Sequence, residues 1–192
     1  MLKFTRHALT AAAFALLSAV VALAQPTNSP VDIFGNTYQP VVGAEFEVAT
    51  TPAIQNAAYA LGNCMGGFQA VAVARYSGAP GILNRFILAS NGGGTTPLTI
   101  YVFGQNPTGS TCTDKSTFTL AAADISKQIC APFALTPAAP VGTTVTMAEN
   151  ASMQCHFITS GNANIYIAIV SGGAWTPAST TDLVFIDEGI QD

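Results

Sequence analysis

The side chains able to do chemistry in this sequence are few and scattered. The chain has two histidines, and His7 falls within a leader described below. A Ser-His-acid triad in the mature protein would therefore have to use His156 as its base. His156 sits in Gln154-Cys155-His156-Phe157-Ile158, a strand-like alternation, and the sequence contains no G-x-S-x-G elbow and no H-E-x-x-H motif. The expectation is a side chain that projects from the polar face of a strand or is partly buried with its hydrogen bonds satisfied. Carboxylate pairs are the second option: Glu45 and Glu47 fall on one face of a strand, and Asp187-Glu188 are adjacent near the C-terminus. Glycoside hydrolysis needs two acids about 5–10 Å apart across a cleft. Two glutamates two apart along a strand lie ~7 Å apart, but nothing else points to a cleft and a solvated face explains them. Asp114, Asp124 or Asp182 could serve a calcium loop, yet no D-x-D-x-D pattern surrounds them. Asn91-Gly92-Gly93-Gly94 lacks the lysine and following helix of a phosphate loop. Trp175, Tyr166 and Tyr101 could form a stacking platform for a sugar or a partner. Trp175 lies in the loop Gly172-Gly173-Ala174-Trp175-Thr176-Pro177, where the competing reading is that it caps one end of the core. The expectation is no catalytic residue, no metal and no cofactor.

The four cysteines, Cys64, Cys112, Cys130 and Cys155, have wide spacings and no C-x-x-C pair. That pattern speaks for disulfides over a metal site, with three possible pairings. Cys112 and Cys130 bracket one compact segment, which favours their pairing and leaves Cys64 with Cys155.

The compartment follows from residues 1–24. Lys3, Arg6 and His7 precede an apolar run from Ala8 to Val21, and Ala22-Leu23-Ala24 offers small residues at a cleavage site. This is the pattern of a secretory signal peptide, with Gln25 as the new N-terminus. The run falls short of the ~20 residues that span a bilayer. The expected location is exported, periplasmic or extracellular, with no membrane span after cleavage. Without the leader, four basic residues face ten acidic ones, a net of −6. Such a chain lacks the basic face that nucleic acid requires. Only 8% of residues are charged while 49% are hydrophobic, so the surface must be built from small polar residues and the chain is not disordered.

The elements that must position these residues are mostly strands. Residues 25–40, with three prolines, read as an extended arm, and residues 41–192 as one domain. From Val41 the pattern turns to period two, and Phe68–Tyr76, Leu83–Ala89 and Leu98–Phe103 follow as apolar, β-branched or aromatic runs divided by Gly/Pro turns. Further strands read as Pro132–Thr136, Thr143–Ala148, Met153–Thr159, Ile165–Val170 and Leu183–Asp187, and the one helical stretch as Ala121–Ile129. Eight or nine short strands with one short helix predict an all-β fold, an antiparallel jelly-roll-like β-sandwich.

Several stretches, taken in order, resemble a family of tailed-bacteriophage virion proteins of structural or capsid-decoration type. They are Tyr59-Ala60-Leu61-Gly62-Asn63-Cys64-Met65-Gly66-Gly67, Ile100-Tyr101-Val102-Phe103-Gly104-Gln105-Asn106-Pro107, Thr111-Cys112-Thr113-Asp114-Lys115, Ala122-Ala123-Asp124-Ile125-Ser126-Lys127-Gln128-Ile129, and the ending from Thr180 to Asp192. The resemblance covers roughly residues 50–192. It implies a β-sandwich that works by contact with other proteins, self-association included, with no active-site residues to carry over. This chain departs from the family in its leader, and in Cys112 and Cys130, which stand where such sequences carry a Phe-like residue and a Gly. The expected function is a non-enzymatic, exported structural or interaction protein; the alternative is a secreted carbohydrate- or cell-surface-binding module using Trp175.

Overall fold

A computed structural model describes residues 43–138 and 144–191. The leader and the arm lie outside the described residues. Nine strands form in chain order: β1 (Ala44–Thr50), β2 (Cys64–Ala72), β3 (Pro80–Ser90), β4 (Leu98–Phe103), β5 (Phe133–Leu135), β6 (Thr146–Asn150), β7 (Cys155–Ile158), β8 (Asn164–Ser171) and β9 (Leu183–Gln191). One short helix, α1 (Ala122–Ile125), lies between β4 and β5.

The strands build two antiparallel sheets. Sheet 1 has the order β1-β9-β3-β6, with β7 also on β3; sheet 2 has the order β2-β8-β4-β5. β7 pairs Pro80–Leu83 and β6 pairs Phe86–Ser90, consecutive stretches of one side of β3. Counted together they are one strand, interrupted at residues 151–154. With that strand joined, the order is the eight-strand double Greek key of a jelly roll. The expected sandwich is therefore the observed one.

The alternation of apolar side chains sends Leu83, Phe86 and Leu88 of β3, Phe185 of β9 and Ile165, Ile167 and Ile169 of β8 into a single core between the sheets. Phe86 stacks on Phe185, ring centroids 5.3 Å apart, and meets Phe133 edge-on at 5.7 Å. A second cluster covers the other side of sheet 2. The chain between β4 and β5 crosses that face, and Phe118 and Leu120 from the crossing pack on Phe68, Tyr101, Phe103 and Tyr166.

The crossing corrects the disulfide pairing. The bonds are Cys64–Cys112 and Cys130–Cys155, with Cα separations of 5.2 and 5.3 Å, in place of Cys112–Cys130 and Cys64–Cys155. Cys112 lies against β2 of sheet 2, and Cys130 lies beside β7 of sheet 1. The compact segment between them spans from one sheet to the other, so its ends bond to the sheets and not to each other.

Other boundaries also shift. β9 runs on past Asp187 to Gln191, through Gly189. A Cβ at Gly189 would lie 2.2 Å from the Ile82 carbonyl oxygen, so glycine here permits close backbone approach and does not end the strand. β2 begins at Cys64 because Gly66 and Gly67 adopt φ of 74° and 80° inside a bulge. The helix is four residues long, because Asp124, buried in its first turn, is turned toward Gly109 and Ser110.

Candidate functional site

Each candidate residue has a definite place in this frame. His156 is exposed on β7, on the outer face of sheet 1, level with Ile82 of β3. Glu45 and Glu47 are exposed on that same outer face, as their spacing requires. The pair Asp187-Glu188 is split by strand alternation. Glu188 points outward, directly across from Glu47. Asp187 points into the core, fully buried, flanked in register by Val48 and Phe86, and neither of its carboxylate oxygens has a hydrogen-bond partner. Burial raises its pKa well above the ordinary carboxylate range.

The three aspartates of the calcium option shape loops at separate places. Asp182 Oδ1 accepts hydrogen bonds from Ser90 Oγ at 2.7 Å and Gly92 N at 2.6 Å, and its Oδ2 accepts one from Ala178 N at 2.7 Å. It thereby joins the β3–β4 and β8–β9 loops. Asp124 Oδ2 accepts from Gly109 N, Ser110 N and Ser110 Oγ, and its Oδ1 pairs with Lys127 Nζ at 2.6 Å. The Lys127 ammonium, followed by the Ser110 and Gly109 donors, holds this carboxyl at about 2 against the opposing effect of desolvation. Asp114 Oδ1 accepts from Tyr59 Oη at 2.6 Å and Gly66 N at 2.7 Å. Burial, with the Asp114 bond behind it, raises the Tyr59 phenol above its ordinary value. Among the described residues no three His, Cys, Asp or Glu side chains gather as a metal would need.

Tyr101 and Tyr166 belong to one cluster and Trp175 to another. Tyr101 and Tyr166 lie under the crossing on the outer face of sheet 2, where Tyr101 meets Phe118 at 4.6 Å between ring centroids. Trp175 belongs to the β8–β9 loop at the far end of the main core. Its backbone pairs with Tyr59, and its indole lies so close over Gly94 that a Cβ there would fall 2.6 Å from the ring. Trp175 therefore closes an end of the core.

What the sequence reading missed is the continuity of the outer face of sheet 1. Cross-strand register sets four rows on it. They are Glu45–Ile190–Ile82–His156, Glu47–Glu188–Arg85, Ala49–Ile186–Ile87–Glu149, and Val184–Ala89–Met147. Arg85 joins the rows: its Nε and Nη2 donate to Glu149 Oε2, and its Nη1 lies 3.3 Å from both oxygens of Glu188. A depression of about 360 Å³ opens between the first two rows, ringed by Glu45, Glu47, Glu188, Asn84 and Ile190. Asn84 is the bulged residue of β3, and its carbonyl accepts from Met153 N where the opposite strand is broken. The signal for this face lay in the alternation of β9 past Asp187, where the strand was read as ending.

Comparison with protein-family models, with curated proteins and with solved structures yields no match.

Proposed function

We propose that this is an exported, non-enzymatic protein that works by contact with other proteins, in the manner of the phage virion components its sequence resembles. In this reading residues 1–24 are removed as a signal peptide after Ala24 and the mature chain begins at Gln25. The two cysteine pairs at disulfide distance support an oxidising destination.

The observation that carries the reading is the contrast between the two outer faces. The sequence spends the long β4–β5 crossing and the Cys64–Cys112 bond on covering sheet 2. No described strand or helix packs over sheet 1, whose outer face carries Ile82, Ile186, Val184 and Met147 between its charged residues. An apolar surface interleaved with charge, left open on one sheet while the outer face of the other is covered, has the composition of a protein-binding surface.

Chemical cross-linking of the exported protein in its source cells or particles, with mass spectrometry of the products, tests the reading. The expected result is cross-linked peptides from β9 and β3, together with an intact mass that starts at Gln25. A protein that stays monomeric in light scattering at high concentration and yields no cross-linked partner would overturn it. Glycan binding abolished by Trp175→Ala would transfer the function to the carbohydrate alternative.

A further inference from the structure

We propose that the free edge of β1 is a docking site for an extended segment of another protein that alternates apolar residues with lysine or arginine. This deepens the reading above and rests on it.

Of the four sheet edges, β1 alone is long and open among the described residues. β2 is bulged at Gly66-Gly67, and its outer side is engaged by the crossing: Cys64 N donates to Ser116 O, and Lys115 N to Cys64 O. β5 is three residues long. The β6–β7 side is broken at residues 151–154, and Met147 exchanges backbone hydrogen bonds with Ala138. β1 runs seven residues without proline, glycine or bulge, and is paired along its whole length with β9 on one side only. Its other side presents a row of backbone donors and acceptors, the template for strand addition.

The side chains of β1 define what could add. On the core side Phe46 and Val48 pack on the main cluster yet are only partly buried, because they stand at the margin of the sandwich. A strand laid beside β1 would cover them with its own apolar residues. On the outer side stand Glu45 and Glu47, neither of which has an ion pair within the described chain, while Arg85 is committed to Glu149 and Glu188. Two copies of β1 joined antiparallel about Glu47, or about Phe46, would set glutamate against glutamate, which is destabilising and disfavours self-pairing in the registers that overlap β1 most fully. Lysine or arginine opposite Glu45 and Glu47 reverses the sign of both contacts. The chain has six basic residues in all and no run in which they alternate with apolar ones, so the strand must come from a different protein.

The probe is a fluorescently labelled Val-Lys-Val-Lys-Val-Lys-Val peptide titrated into the full-length mature protein at low salt. A Val-Glu peptide of the same length serves as control. The lysine peptide should bind, slow hydrogen exchange at amides within Ala44–Thr50, and lose affinity as salt rises. The double variant Glu45→Lys/Glu47→Lys, both exposed, should keep its thermal midpoint, weaken the lysine peptide by about tenfold or more and bind the glutamate peptide instead. Failure of the lysine peptide to bind, binding that survives the double variant, or protection outside β1 would overturn the proposal. A natural partner that cross-links to the sheet 1 face while the β1 amides remain unprotected would overturn this docking mode alone and leave the proposed function standing.

Discussion

Two buried aspartates show how one residue type is put to opposite uses. Asp124 is surrounded by donors and its folded pKa, about 2, lies below the ordinary 3.8. Its contribution to stability is complete above that ordinary value and is lost as the pH falls through 2. Asp187 has no donor, and its folded pKa lies well above 3.8. Its contribution is complete below the ordinary value and is lost as the pH rises toward the folded one. The combined contribution of these two groups is therefore largest near pH 4, where neither is eroded, to be measured as urea midpoints from pH 2 to 8. Asp187→Asn keeps the shape and removes the charge, so it should raise the midpoint at pH 7 and leave that at pH 4 nearly unchanged. An equal shift at both would mean that ionisation at this position is not what limits the fold. The aspartate was visible in the sequence, but its direction was not. Asp187 and Glu188 read as a pair until the register of β9 put them on opposite faces.

The strands were legible wherever composition and period agreed. Leu98–Phe103, with Ile100, Tyr101 and Val102, is the strand the sequence predicts, residue for residue. Legibility failed at glycines and at long-range connections. The last strand was read as ending at Asp187, because what lets it run on through Gly189 is a neighbour 107 positions away, the Ile82 carbonyl, which local pattern does not reveal. Gly189→Ala should accordingly cost about 1–3 kcal/mol in chemical denaturation, and a neutral result would remove the close-approach argument. The disulfide pairing failed for a similar reason: it depends on where the β4–β5 crossing travels. Non-reducing peptide mapping should recover Cys64 with Cys112 and Cys130 with Cys155, and a peptide joining Cys112 to Cys130 would refute the traced path. In the chain-entropy treatment, removing the bond of separation 48 should cost ~4 kcal/mol and the one of separation 25 roughly 3.5 kcal/mol. Mild thiol should open Cys130–Cys155 first, since Cys130 is half-buried while Cys64 and Cys112 are buried.

At the scale of the whole molecule the two sheets differ in what they leave to solvent. The class of fold followed from the scarcity of charge and the even punctuation of strands by Gly and Pro; the inequality of the faces did not, because it depends on which sheet the crossing overlies. Met147 is 46% exposed on the uncovered face, and Met147→Glu should leave the folding midpoint within about 0.5 kcal/mol of its original value. The same substitution should reduce cross-linking to a natural partner. Loss of fold together with loss of cross-linking would mean that the residue is structural. Unchanged cross-linking would place the contact elsewhere on the sheet.

The interruption at residues 151–154 has a bearing on valency. A sandwich with two long open flanks can receive a neighbour on each and propagate without limit, as fibres do. Here one flank of sheet 1 is cut into two short pieces, and the other is whole. If β1 receives a strand as proposed, a subunit built this way would join the margin of something larger while offering, among the described residues, no second long margin for the next. Under the proposed docking mode, the described residues offer one whole flank per subunit, so growth by strand addition would stop at one subunit per binding position.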